Sequence, residues 1–300
     1  MNSTERSEVM SKARWNARDK APDTDIPLNC QVIAVASGKG GVGKSSVTVN
    51  LATALAAHGH TVGVLDADIW GFSVPRLLGL SDRMEAEHVE GSDKPRIMPN
   101  TKQVGKGLLK VVSTGFLVDE STALMWRGLM LTKAVEQFLA DVAWGELDYL
   151  IIDMPPGTGD IAITLSQLLP LTGSVVVCTP QDVALLDATK AINMFRKVNI
   201  EILGMVENMS HFICPSCDSR HEIFGSGGAK DRAEKMNVPF LGEVPINMQV
   251  RIRGDEGTLA SCFDDELVAP YLENICTTLV KNIVSQRRQK PPMPSLSVLG

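Results

Sequence analysis

Three hundred residues, 44% apolar and 21% charged, suffice to bury one large core beneath a charged surface, and length alone allows one domain or two. The formal net charge of −6 argues against a nucleic-acid-binding surface spread over the molecule, and no run approaches the roughly 18 apolar residues of a membrane span, so neither nucleic acid nor stable membrane insertion is expected. The six cysteines, Cys30, Cys178, Cys214, Cys217, Cys262 and Cys276, are too few and too scattered for a disulfide framework and fit a reducing compartment.

Residues 1–30 mix Arg6, Lys12, Arg14, Arg18 and Lys20 with Glu5, Glu8, Asp19, Asp23 and Asp25, and hold no apolar run of the kind a secretory signal needs. They read as a flexible polar arm. A cytoplasmic chain is expected, with the mitochondrial matrix as the alternative if the native N-terminus has been trimmed. An apolar strand from Val32 to Ala36 then runs into Ser37-Gly38-Lys39-Gly40-Gly41-Val42-Gly43-Lys44-Ser45-Ser46, with a helix beyond. Glycines at 38, 40, 41 and 43 let the backbone fold tightly enough to aim successive N–H groups at one anion, where side chains would obstruct. Lys44 and Ser45 complete the pattern G-x-x-x-x-G-K-[ST]. In that P-loop pattern the lysine reaches the β/γ-phosphates, the hydroxyl coordinates Mg²⁺ and the helix start adds its positive dipole end. ATP and Mg²⁺ are the expected ligands, held by Gly38, Lys39, Gly40, Gly41, Val42, Gly43, Lys44, Ser45 and Ser46.

The helix after the loop carries Val47, Leu51, Ala54 and Leu55 on one face and stops near His58-Gly59. A short strand over 61–65 ends in Asp66-Ala67-Asp68. Residues 79–107 are polar and rich in turn formers, an excursion at the sheet edge. A strand over 109–112 and a helix over 129–142 precede the apolar strand 149–152, which ends in Asp153, a Walker B-type carboxylate suited to Mg²⁺. Asp160, further along the same loop, reads as a helix-capping carboxylate. Two more apolar strands, 175–178 and 202–206, flank a helix over 183–197. The pattern of Val268, Leu272, Ile275, Leu279 and Ile283 over 267–284 reads as a terminal helix docked on the sheet rather than a membrane-targeting one. Strands that are nearly all apolar and alternate with helices predict an α/β fold: a three-layer P-loop NTPase with a mostly parallel central sheet flanked by helices on both faces. One domain over 31–286 is expected, with a disordered tail over 287–300. Functional groups should gather beyond the carboxyl ends of the strands.

Cys214-Pro215-Ser216-Cys217, in a loop near 207–228, is the only cysteine pair with metal-ligand spacing. Two thiolates grip a soft centre, yet zinc and Fe–S sites ordinarily take four protein ligands. Three completions stay open on the residues alone: distant groups such as His221 finish a mononuclear site, a symmetry-related chain supplies a second cysteine pair, or the two thiols form a redox disulfide. The other four cysteines read as buried small hydrophobes.

The loop GKGGVGKS, with its additional Lys39, resembles the deviant Walker A motif of the class that includes MinD, ParA, the arsenite-pump ATPase and the nitrogenase iron protein. That resemblance implies a homodimer in which Lys39 reaches the partner's nucleotide and acts as an arginine finger does. It also implies that Asp68 orients the attacking water, while Asp66 supports the loop or the ion. The wider set VIAVASGKGGVGKSS, DADIWGFSVP, DYLIIDMPPGTGD, TPQDVALLDA, ENMSHFICPSC, IFGSGG and LGEVPI is similar to the Mrp/ApbC family of iron–sulfur cluster carriers, and the stretch over 115–130 looks most like its NUBPL branch. By this resemblance Asn208 and the backbone near Pro245 meet the adenine, and Cys214 and Cys217 hold half of a [4Fe–4S] cluster that bridges two subunits. The residue-level alternative for Asn208 is a turn residue bonding its own backbone.

The implied function is an ATP-hydrolysing carrier that hands its cluster to apo iron–sulfur proteins, with Lys39, Lys44, Asp68 and Asp153 as catalytic residues. Ser45 and Asp153 would bind Mg²⁺, and Cys214 and Cys217 the cluster. The competing reading is a MinD/ParA-like positioning ATPase acting on a membrane or DNA surface.

Overall fold

The computed structural model describes residues 26–27, 29–68, 71, 73–89, 94–116, 128–217 and 219–289. Residues 1–25 and 28 of the expected arm over 1–30 and residues 290–300 of the expected tail over 287–300 lie outside the described residues, as does the stretch 117–127 that carried part of the branch resemblance.

Strand β1 (Gln31–Ala36) feeds the glycine loop and helix α1 (Lys44–Ala57), followed by β2 (Thr61–Asp66) and the short α2 (Val74–Leu78). The polar excursion forms a two-stranded ribbon, β3 (Ala86–Glu87) with β4 (Arg96–Ile97), then β5 (Asn100–Val104), which turns at Gly105 into β6 (Gly107–Ser113). There follow α3 (Gly128–Asp141), β7 (Tyr149–Asp153), α4 (Asp160–Leu168), β8 (Gly173–Cys178), α5 (Asp182–Lys197), β9 (Ile202–Ile213), β10 (Arg220–His221), α6 (Gly228–Lys235), β11 (Phe240–Ile246), α7 (Met248–Asp255) and α8 (Ala269–Gln289).

One sheet runs in the order β10-β9-β8-β1-β7-β2-β6-β5, with β11 also paired to β9. The pairs β1–β7, β1–β8, β2–β7, β2–β6, β8–β9 and β9–β11 are parallel, and only β5–β6 and β9–β10 run antiparallel. Successive strand residues serve opposite faces, as the period of two requires. Val32, Ala34, Leu150 and Ile152 pack with α3, α4 and α5 residues such as Phe138, Leu165 and Ile192. Ile33, Val35 and Ile151 pack on the other side with Leu51 and Leu55 of α1 and Leu272, Leu279 and Ile283 of α8. The sheet is therefore covered on both faces, and the predicted three-layer α/β architecture holds.

Three expectations need correction. Helix α1 was expected to bury one face, but Val49, Ala52 and Ala56 are as buried as Val47 and Leu51, because α8, α2 and the 3-10 turn over Leu259–Asp264 cover the side away from the sheet. Strand β9 continues well past residue 206. Its polar residues Glu207, Asn208, Ser210 and His211 break the apolar pattern, yet all four are buried with partners. Helix α8 runs through Gln289, beyond the expected end. The docked reading of that helix holds: Leu272, Ile275, Leu279 and Ile283 are all buried.

Candidate phosphate-binding site and cysteine hairpin

The carboxyl ends of β1, β2 and β7 lie side by side because β7 pairs with both neighbours, with Asp66 in register opposite Asp153. The loop from β1 curls over them. Gly43 has φ +79° and a Cβ there would sit 2.1 Å from the Asn208 side chain, while a Cβ on Gly38 would sit 2.1 Å from the Asp187 backbone. Both positions demand glycine on steric grounds. Gly41 shares the left-handed conformation, but Gly40 does not, and its Cβ would meet no protein atom within 4 Å. The expectation that every loop glycine is required by the backbone path is thus corrected for Gly40. The loop from β7 is tied to the cradle by Met154 N–H donating to Val35 O (3.0 Å) and Gly157 N–H to Ser37 O (2.9 Å).

Lys44, 6% exposed, is the hub of the site. Its Nζ lies 2.8 Å from Asp153 Oδ1 and 3.4 Å from Asp68 Oδ2. Ser45 Oγ donates to Asp153 Oδ2 at 2.5 Å and Thr48 Oγ1 to Asp153 Oδ1 at 2.9 Å. One buried carboxylate therefore gathers three groups from the first two turns of α1. Thr48 escaped the sequence reading, although its place one turn beyond Lys44 was the available signal. Asp66 is fully buried and accepts the Ser113 hydroxyl (3.1 Å) and the Asp68 N–H (3.1 Å). Burial first, and the charge of Asp153 second, push its carboxyl up to about 8. Burial likewise raises Asp68, against the pull of Lys44. Asp66 thus braces the turn after β2. Asp160 is exposed and opens α4, with Gly159 as its N-cap, so it acts through the helix dipole rather than as a cap.

Lys39 is half-buried and makes no ion pair among the described residues. Ser46 is half-buried at the start of α1. The Val42 side chain is packed in the core, which leaves its backbone N–H for the cradle, while its carbonyl accepts from Asn208 Nδ2 at 2.9 Å. Asn208 therefore sits in a strand and braces the loop, and the turn alternative is overturned. Pro245 is buried in β11 where the β9 register shifts between Val244 and Ile246, a position that tolerates a missing N–H. Next to Asn208, Met209 has φ +56°, a kink that no β-propensity signal announces.

Beyond that kink β9 leads into Cys214, which directly follows it, at most about 20 Å along the chain from Asn208. Cys214 is half-exposed and Cys217 exposed, whereas Cys30, Cys178, Cys262 and Cys276 are buried. Burial pushes the Cys30, Cys178 and Cys276 thiols up to about 12. Among the described residues no three Cys, His, Asp or Glu side chains converge on a metal site, and His221 forms no such group with Cys214 and Cys217 there. His221 instead meets Ser219, which meets Cys217. Glu207, fully buried, accepts the Gly227 and Ala229 N–H groups and so fastens the start of α6 behind the hairpin. No helix among the described residues is long and apolar enough to cross a membrane.

A glycine cradle over a lysine–carboxylate cluster, at the carboxyl edge of a mostly parallel sheet, defines a MinD/ParA-like P-loop NTPase. Within that class the chain belongs to the ParA family described as NUBPL iron-transfer P-loop NTPases, whose sequence profile matches residues 29–281. It is 50% identical over 244 residues to the iron–sulfur cluster carrier protein of Haemophilus influenzae, covering 81% of this chain and 64% of that protein. It therefore spans less than two thirds of that relative. It is 46% identical over 257 residues to the mouse iron–sulfur cluster transfer protein NUBPL, covering 84% of this chain and 77% of that one. Among solved structures, the nucleotide-binding protein of Archaeoglobus fulgidus in complex with ADP superposes with a TM-score of 0.67 at 38% identity, over 84% of this chain and 93% of that one. The cell division ATPase MinD of Pyrococcus furiosus superposes at 0.60 with 22% identity, over 84% and 98%, which is a likeness of fold.

Proposed function

We propose that this protein is an ATP-hydrolysing iron–sulfur cluster carrier that works as a homodimer, with a [4Fe–4S] cluster as cargo for apo iron–sulfur proteins. The observation that carries the reading is the exposed hairpin with two cysteines and, among the described residues, no third metal ligand beside them, set on the strand that also braces the phosphate loop. Two sulfurs are half of a cluster's usual protein ligation, and a two-fold axis through the hairpin would bring the other half. The relatives named as cluster carriers support the cargo, and the archaeal relative with ADP supports the nucleotide.

The cradle fits a phosphate chain: Gly41 and Gly43 turn the backbone, and Lys44 is already held among carboxylates it can leave for phosphate oxygens. Ser45 and Asp153 offer the hard oxygens that suit Mg²⁺, with Thr48 steadying Asp153. Mg²⁺ bound there would neutralise charge on the β- and γ-phosphates. Asp68, beside Lys44, is the carboxylate we assign to orienting the attacking water, and Lys39 the cation given to the partner's nucleotide. Asn208 and the backbone at Pro245 flank the space we assign to the adenine. The chain's work would lie in the cytoplasm or an equivalent reducing space.

Anaerobic reconstitution with iron and sulfide tests the cargo. About four iron and four sulfide per dimer are expected. Full cluster content in Cys214→Ala or Cys217→Ala protein would overturn the reading. ATP-dependent sedimentation with liposomes or DNA that survives loss of both cysteines would favour a positioning ATPase instead.

A further inference from the structure

The two cysteines of the hairpin are held by different means. Cys214 directly follows β9, and its backbone N–H donates to Ser219 O at 3.0 Å, so its place is set by the main chain. Cys217 stands three residues further, at the exposed tip. A side-chain relay reaches it from the body: Cys217 Sγ lies 3.0 Å from Ser219 Oγ, and Ser219 Oγ lies 2.9 Å from His221 Nε2. His221 is rooted in β10, where it pairs with Phe212 of β9 and sets its ring 6.5 Å from the phenyl ring at 34°. Contacts thus run outward from the paired strands to the sulfur.

Resting on the carrier reading above, we propose that Ser219 and His221 are positioning residues that hold the Cys217 sulfur beside Cys214 for capture of a soft metal centre. A ligand already oriented loses less rotamer freedom on binding, and groups one bond removed from a metal are the usual means of orienting it. The hydroxyl and the imidazole are suited to the task because each can donate or accept. Ser219 can take a hydrogen bond from a thiol or give one to a metal-bound sulfur, while His221 Nε2 supplies the complementary role by its tautomer. The same contact therefore persists before and after loading. Both residues are exposed, so burial in the core does not account for their identity.

Cobalt(II) titration of the 300-residue chain under anaerobic conditions tests this through the thiolate-to-cobalt charge-transfer band, with no turnover measured. Wild-type protein should show the band, and Cys214→Ala or Cys217→Ala should abolish it. Ser219→Ala and His221→Ala should each weaken cobalt affinity by about 10- to 100-fold with the thermal midpoint unchanged. Ser219→Thr and His221→Gln, which keep a hydroxyl and a side-chain N–H, should restore it. Wild-type affinity in both alanine variants would overturn the positioning role. So would a loss that the conservative variants fail to rescue, since that points to folding of the hairpin. A wild-type band that survives removal of the cysteines, or no band at all, would instead overturn the carrier reading beneath it.

Discussion

At the scale of single residues the site is a balance of buried charge. Asp66, Asp68 and Asp153 crowd around one ammonium, and burial pushes the Asp66 and Asp68 carboxyls upward. For Asp66 the sign follows from linkage. A carboxyl that titrates at about 8 in the folded chain and near 3.8 when unfolded binds more protons folded throughout that window. Its contribution is full below the unfolded value and is lost as pH rises through the folded one. Nucleotide-free protein should therefore lose stability toward urea between about pH 4 and pH 8, and Asp66→Asn should flatten that decline. An unchanged slope in the variant would remove Asp66 from the account. Lys39 makes a second expectation at this scale. Lys39→Ala should keep nucleotide binding, read by fluorescent-nucleotide titration, while phosphate release falls about 10³-fold, the loss seen when a finger cation is withdrawn. Equal losses of binding and turnover would assign Lys39 to its own nucleotide instead.

At the scale of elements, β9 and α8 organise the molecule. Strand β9 touches the phosphate loop through Asn208, fastens α6 through Glu207 and ends at the cysteine hairpin. Between these points His211 is buried, with Nδ1 2.7 Å from Ser210 Oγ and Nε2 3.2 Å from the Tyr271 hydroxyl of α8. Burial lowers its pKa below the usual imidazole range. The strand is thus fastened to α8 by a neutral ring, and stability should rise with pH through the ordinary histidine range, an increment that His211→Gln would remove from a denaturation series. Helix α8 closes the opposite face of the sheet from α5. Its Leu279 is fully buried against that core. Leu279→Ala should cost about 2–5 kcal/mol in urea unfolding, with an unchanged m-value. The sequence made α8 legible because its apolar residues keep helical spacing. It hid the second half of β9, because buried polar residues with partners look like loop residues until the partners are known.

At the scale of the whole molecule, the phosphate loop and the hairpin stand on one edge of the sheet. Both are incomplete in a single chain under the proposed function. Cluster-loaded protein should therefore sediment as a dimer, and Cys214→Ala should shift it toward monomer under the same conditions. A loaded species that stays monomeric would refute the bridging arrangement.

The residue order alone was enough for the glycine cradle, its lysine and serine, the carboxylate at the end of β7 and the sandwiching of a parallel sheet. These are local or periodic signals: loop chemistry written in consecutive residues, and nearly all-apolar strands alternating with helices. Only the tertiary structure could decide that Asp66 and Asp153 lie in register, that Thr48 and Ser113 buttress them, that Asn208 braces the loop from a strand, and that Ser219 and His221 stand behind Cys217. Such contacts join residues as many as 166 positions apart, as Asn208 and Val42 are, and no local pattern encodes which distant partner a buried polar group will find.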